Sequence, residues 1–189
     1  MNILRYTSLV LLASFQLAAP AQTPAKLVPA QSEVLFVTKQ MGVPVEGRFK
    51  KFDAQISLDP KHPESGSVAV SIDTASAFLG VPESDAEMPK AIWFNVAKFP
   101  QASFKSTAIK GLGNGRFEVA GKLDIKGTSR DLVVPVQITQ SGAGSTATGS
   151  FVIKRLDFKI GEAEWTDTTV VANDVTVKFK LALTGLGAL

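Results

Sequence analysis

The chain has 189 residues, no cysteine, a single histidine and a formal net charge of +3. The lack of cysteine excludes a disulfide scaffold, a cysteine nucleophile and thiolate-bound zinc or iron–sulfur sites, and a lone histidine excludes a multi-histidine metal centre. The small excess of 20 Lys and Arg over 17 Asp and Glu is not the charge pattern of a nucleic-acid-binding protein.

The N-terminus has the pattern of an export signal. Arg5 precedes an uncharged apolar stretch, residues 7–19, that is too short to span a bilayer comfortably. The sequence Ala19-Pro20-Ala21 supplies the small residues of a leader-peptidase site. We therefore expect residues 1–21 to be a cleaved signal peptide and the mature protein to be periplasmic, without a stable membrane span. An uncleaved anchor or a buried N-terminal helix is the alternative.

After a linker predicted at residues 22–31, one domain is predicted at residues 32–185. Eight of its segments alternate apolar and polar residues, the period of antiparallel strands with one buried face. Turn sequences such as Gly113-Asn114-Gly115 separate the segments. Eight strands with short connections predict an all-β barrel or sandwich.

One stretch, residues 79–96, does not alternate. Ser84 or Asp85 is suited to cap a short helix, and an apolar cluster follows at residues 92–94. A short helical crossover around residues 83–95, closing the mouth of a barrel, fits this position between strands.

The predicted barrel interior is either a solid core or an apolar tunnel for a hydrocarbon chain. If it is a tunnel, strand parity and the crossover cluster predict seven contacts with its contents: Phe36, Met88, Trp93, Phe94, Phe104, Phe151 and Phe179.

Two charged residues continue the inward alternation that includes Phe151, namely Arg155 and Asp157. Inside a barrel these charges need partners, and Arg155 could pair with Asp157 or with Asp85. Either a structural ion pair or a contact with a ligand's polar head fits this pattern. A bulge at residues 154–156 would instead turn both charges to solvent.

Two other residues bear on function. His62 lies between Pro60 and Pro63 without an adjacent nucleophile motif, so we expect a surface histidine and no enzymatic activity. Trp165 lies in a polar segment, where it either marks an exposed partner site or folds back to close one end of the barrel.

Several segments, in this order and spacing, resemble the YceI-like family. They read SEVLF at residues 32–36, MG at 41–42, VEGRFKKFDA at 45–54, FPQASFKST at 99–107, GKLDIKGT at 121–128, RLDFKIG at 155–161 and NDV at 173–175. The family's crossover motif, Arg-Asp-x-His-Leu, is replaced here by Ser-Asp-Ala-Glu-Met, which keeps only the acid at Asp85.

The resemblance implies a lipocalin-like, antiparallel eight-stranded barrel with an apolar tunnel for an isoprenoid lipid of polyprenyl or quinone type. It implies a non-catalytic periplasmic binding or carrier protein, with no cofactor other than a bound lipid or quinone. A homodimer is compatible with it. The alternative is an interaction or stress-related module on the same scaffold, with a packed interior and no lipid ligand.

Overall fold

The protein is described by a computed structural model that covers residues 24–189, so the predicted signal peptide lies outside the described residues. These residues form eleven strands and one α-helix. The elements are β1 (Lys26–Leu27), β2 (Glu33–Gln40), β3 (Val43–Phe49), β4 (Phe52–Ser57), β5 (Ser67–Asp73), β6 (Ala77–Phe78), α1 (Pro82–Glu87), β7 (Gln101–Gly113), β8 (Arg116–Ile125), β9 (Thr128–Ser141), β10 (Gly144–Lys154) and β11 (Asp174–Thr184).

Short 3-10 helices fill several of the connections, at Pro29–Gln31, Pro63–Ser65, Thr74–Ser76, Arg155–Phe158 and Ala163–Thr166. Over residues 24–189 there is no helix with the length and apolar character needed to cross a bilayer.

All strands belong to one antiparallel sheet in the order β4-β5-β7-β8-β9-β10-β11-β2-β3-β6. Strand β11 pairs along one edge with β10 and along the other with β2 and then with β1. Just before β1, Ala25 forms an isolated bridge with Ile56 of β4. The curled sheet therefore closes onto β4, the strand at the beginning of its spatial order. The all-β, lipocalin-like prediction is therefore confirmed, with eleven strands in place of the expected eight.

The additional long strand is β3, which the alternation pattern did not reveal. Its sequence contains Pro44 and Gly47, two residue types that are uncommon within strands. The strand forms because it pairs with β2 in continuous register from Gln40↔Val43 to Val34↔Phe49. The tight turn between them places Met41 and Gly42 at positive φ.

The predicted linker, residues 22–31, also differs from expectation. Its described part contains the β1 strand and the 3-10 helix Pro29–Gln31. Ser32 holds this segment in place, because its hydroxyl donates to the carbonyl of Val28 at 2.8 Å and accepts from the amide of Ala182 at 2.9 Å. The chain therefore joins the barrel wall several residues before the predicted start of the domain.

The barrel has two differently built ends. The hairpin end carries the β7–β8 and β9–β10 turns, and its inward residues, among them Ile109, Phe117 and Leu183, are almost fully buried. The crossover end carries α1 and the long connection between β10 and β11, with Trp93 and Phe158 in its core. A second set of apolar side chains therefore covers that end.

The crossover itself begins earlier than predicted. Helix α1 starts with Pro82 at its first position, so neither Ser84 nor Asp85 is the N-terminal cap. The Asp85 carboxylate instead accepts a hydrogen bond from the amide of Leu79 at 2.6 Å. A fixed proline φ suits the first turn of a helix, which explains the earlier start.

Candidate binding cavity

An apolar cavity lies inside the barrel. Its volume is about 170 Å³. Of its 26 lining residues only Ser103 is polar, and the others are Val, Ile, Leu, Phe and Ala. An engineered apolar cavity of similar size in another protein stays dry and binds small hydrocarbons, so this lining suits a ligand without polar groups along its length.

Four of the seven predicted contacts line this cavity: Phe94, Phe104, Phe151 and Phe179. Phe94 comes from the crossover, whereas the other three are inward residues of β7, β10 and β11. Phe104 packs against the apolar clusters of both barrel ends. The structure therefore brings together aromatic residues from distant parts of the chain around one lumen.

The other three predicted contacts lie outside the lining. Phe36 packs against Phe49, with ring centroids 5.3 Å apart. Met88 and Trp93 are buried in the apolar cluster of the crossover end. They support the wall and the cover of the barrel rather than its lumen.

Two inward glycines enlarge the cavity by seating aromatic rings against the wall. A Cβ atom on Gly149 would lie 2.3 Å from the Phe179 ring, and one on Gly121 would lie 2.5 Å from the Phe104 ring. Each ring therefore occupies the space that a side chain would take. Glycine at an inward position near a phenylalanine on the adjacent strand is the sequence signal for this arrangement.

Most of the remaining lining residues are aliphatic. The alternating pattern predicts that they face inward, but they are not among the seven predicted contacts. Val119 of β8, Val134 of β9 and Leu181 of β11 are examples, each about 95% buried. The alternating pattern identifies such positions, but it does not distinguish a residue facing a lumen from one in a solid core.

Arg155 is 2% exposed and forms a network of hydrogen bonds with the backbone beside the barrel. Its Nε donates to the carbonyl of Ala172, its Nη1 to those of Ile160 and Gly161, and its Nη2 to those of Trp165 and Val171, at 2.6 to 3.0 Å. A guanidinium has five N–H donors, and here five carbonyls accept from it. Arg155 therefore fixes the connection between β10 and β11.

The two acids considered as partners of Arg155 lie elsewhere. Asp157 is exposed, and its carbonyl accepts a hydrogen bond from Arg130. Asp85 binds the amide of Leu79. Strand β10 ends at Lys154, and the following 3-10 helix breaks the alternation that placed Arg155 and Asp157 on one face. Burial lowers the pKa of Arg155 below its ordinary value, but an arginine remains charged at any physiological pH.

Trp165 folds back onto the crossover end. It is half-buried, and its ring centroid lies 5.5 Å from that of Trp93. Nearby, the buried ammonium of Lys126 donates to the carbonyl of Lys159 and to the carboxylate of Glu162. Together with Arg155, these contacts attach the connection between β10 and β11 to the crossover end and cover it.

His62 lies in an exposed loop far from this cover along the sheet. Its Nδ1 pairs with the Asp59 carboxylate at 3.0 Å, and this hydrogen bond is the main cause that lowers the pKa of Asp59. The hydroxyl of Ser65 donates to the carbonyl of His62. Within residues 24–189, no three or more His, Asp or Glu side chains are grouped in a way that could hold a metal ion.

A curled antiparallel barrel around an apolar lumen defines a lipocalin-like protein. The YceI-like domain matches residues 26–183, and the chain belongs to the YceI-like family. It is 31% identical over 134 residues to a UPF0312 protein of Vibrio cholerae, covering 69% of this chain and 71% of that one.

Two solved structures share the fold. BcnA of Burkholderia cenocepacia is 43% identical, with a TM-score of 0.81 over 83% of this chain and 99% of that one. A polyisoprenoid-binding domain of Saccharophagus degradans is 21% identical, with a TM-score of 0.66 over 86% of this chain and 98% of that one.

Proposed function

We propose that this protein binds one isoprenoid lipid, of polyprenyl or quinone type, inside its barrel and carries or sequesters it without chemical change. The observation that carries the proposal is the lining of the cavity, in which Ser103 is the only polar residue among 26. A long apolar chain gains about 25 cal/mol for each Å² removed from water. The fold shared with a domain that is described as polyisoprenoid-binding supports the same ligand class.

The proposal includes transport without catalysis. The lining supplies no acid–base pair or charged group, and the most deeply buried cation, Arg155, already donates to five carbonyls. Binding then depends on apolar burial and shape, which hold a chain without activating any bond in it.

We further propose that the carrier works in the periplasm. The support is the N-terminal pattern of Arg5, an uncharged apolar stretch and the Ala19-Pro20-Ala21 site. Fractionation of cells and N-terminal sequencing of the purified protein test this step. We expect the mature chain in the periplasmic fraction, beginning at Gln22. An intact Met1 terminus in the membrane fraction would contradict cleavage and favour the uncleaved anchor, and recovery from the cytoplasmic fraction would contradict export.

The ligand is tested by mass spectrometry. Protein purified from its natural host is extracted with organic solvent, and the extracted protein is then offered geranylgeraniol or a short-chain ubiquinone and examined by native mass spectrometry. We expect a co-purified isoprenoid or a one-to-one complex with an added one. Protein that contains no lipid and takes up neither probe would overturn the proposal and favour the module with a packed interior.

A further inference from the structure

The barrel wall has an interruption between two neighbouring strands, β9 and β10. Their register runs from Gly144↔Ser141 to Gly149↔Val136 and stops there. Beyond that point β9 pairs only with β8 and β10 only with β11. Pro135, the next residue of β9, has no N–H to donate to β10.

The interruption is bounded at both ends. On the hairpin side it ends at the Gly149↔Val136 pair. On the crossover side, the Arg130 Nη2 donates to the carbonyl of Asp157 at 3.3 Å and joins β9 to the 3-10 helix after β10. We call the gap between residues 131–135 of β9 and 150–154 of β10 the β9–β10 window. Five residues of strand make it about 16 Å long.

The middle of the β9–β10 window is apolar on both faces, whereas Asp131 and Lys154, at its crossover side, pair with Lys122 and Asp174. Val133 and Val152 stand on its outer edges and are 57% and 54% exposed, which is unusual for valine. On the inner face Val134 of β9 and Phe151 and Ile153 of β10 line the cavity. A hydrocarbon chain that crosses the wall between Val133 and Val152 would pass from exposed apolar side chains directly to the apolar lining of the cavity.

The wall has a second weak place, which differs in chemistry. Between β1 and β4 the strands are joined by the bridge of Ala25 and Ile56, with a hydrogen bond of 2.7 Å. The groove outside that seam includes the polar residues Lys26, Asp53 and Gln55. A hydrocarbon chain entering there would have to pass charged groups, so the β9–β10 window is the better route.

We propose that the β9–β10 window is the port through which the isoprenoid chain enters and leaves the cavity, with Val133 and Val152 as its apolar lips. This inference rests on the proposed function. A port changes the height of the barrier and not the energy of the bound state. Closing it should therefore slow association and dissociation by the same factor and leave the equilibrium affinity unchanged.

The chain has no native cysteine, so a crosslink across the window can be introduced cleanly. Val133→Cys and Val152→Cys place one thiol on each lip, at positions that would face each other if the β9–β10 register continued. The matched control is Thr139→Cys with Thr146→Cys, a pair on the same strands where the ladder is intact. Uptake of geranylgeraniol is followed in stopped flow by displacement of N-phenyl-1-naphthylamine, before and after reduction.

We expect oxidation of the lip pair to slow uptake by about tenfold or more and reduction to restore it, while the control pair has no effect. If no crosslink forms, Val133→Asp with Val152→Asp should slow uptake by about the same factor, because a charged lip opposes passage of an apolar chain. Unchanged uptake in the crosslinked or charged variant would overturn the port. If the unmodified protein takes up no probe, the proposed function itself fails.

Discussion

At the scale of single residues, Arg155 shows how this fold uses a buried charge. The guanidinium holds five carbonyls from the connection between β10 and β11, and those carbonyls would otherwise lack partners away from water. Removing one partner of a buried polar network lowers the free energy of unfolding by more than the intact network adds to it, because the remaining polar groups stay buried without partners.

We expect Arg155→Met to lower the free energy of unfolding by about 3–5 kcal/mol, because the substitution leaves buried carbonyls unpaired. Arg155→Lys should lose less, since an ammonium retains three donors. Urea unfolding measures both. The control is Arg130→Met at an exposed arginine of the same barrel end, which should change stability by at most about 0.5 kcal/mol. Equal losses for Arg155→Met and Arg130→Met would contradict the structural role.

Gly47 of β3 lies directly against the ring of Phe36 on β2. A Cβ atom there would lie 2.2 Å from Cζ of Phe36, so Gly47→Ala must move the ring. We expect a loss of about 1–3 kcal/mol, largely recovered in the double variant with Phe36→Leu. Gly144→Ala is the control, since its Cβ would meet only Ser141 O at 3.6 Å. Thermal unfolding of Gly47→Ala, Phe36→Leu, the double variant and Gly144→Ala measures the four stabilities. If the losses of Gly47→Ala and Phe36→Leu simply add in the double variant, the Phe36 ring is not the reason why position 47 requires glycine.

At the scale of elements, Ser32 marks the point where β11 changes partner from β2 to β1. Its hydroxyl joins the carbonyl of Val28 to the amide of Ala182, and both of these backbone groups lie between the two ladders. The short β1 strand therefore depends on a side chain as well as on its own pairing.

Ser32→Ala should lower the free energy of unfolding by about 1–3 kcal/mol, because the amide of Ala182 loses its acceptor in a partly buried position. Hydrogen exchange should show faster exchange at Ala182 and at Ala25, whose amide binds Ile56 at 2.7 Å. Ser150→Ala, at a position of β10 facing away from the cavity, is the control. Unchanged protection at both amides would mean that β1 is held by its ladder alone.

The sequence predicts these elements unevenly, for physical reasons. Strands β8 and β11 are recognisable because their apolar and polar residues alternate strictly in sequence, and in β8 one face is buried along the strand. Strand β3 is not, because Pro44 and Gly47 interrupt the pattern and pairing with β2 compensates for them. For Arg155, the alternating pattern continues past the end of β10, where local backbone hydrogen bonds take over.

In the barrel as a whole, the presence of a cavity is the feature that the alternating pattern does not predict. Alternation identifies inward residues, but a lumen depends on how strands around the barrel place large and small side chains together. Alternation places Phe104 and Phe179 on inward faces, and both line the cavity, whereas the glycines that hold their rings against the wall act only through contacts between strands. Side-chain volume summed around the barrel, and not the pattern along one strand, decides whether space remains.

The hairpin end of the cavity leaves space beside a small inward residue, Ala147. Ala147 lines the lumen opposite Ile138 of β9 and Leu181 of β11. We expect Ala147→Phe to fill that end and to weaken binding of geranylgeraniol by about tenfold or more, because the chain loses apolar surface to bury. Thr148→Phe places the same ring on the outer face and is the matched control.

The measurement is the rise in melting temperature on adding geranylgeraniol, since a ligand that binds only the folded state stabilises it by RT ln(1 + L/Kd), where L is the free ligand concentration, and this quantity falls as the affinity falls. The wild type and Thr148→Phe should show the same rise, and Ala147→Phe a much smaller one. The melting temperature without ligand serves as the check on folding, because a ring that occupies existing space makes new contacts instead of losing old ones. An undiminished rise in a folded Ala147→Phe protein would show that the bound chain does not extend to the hairpin end.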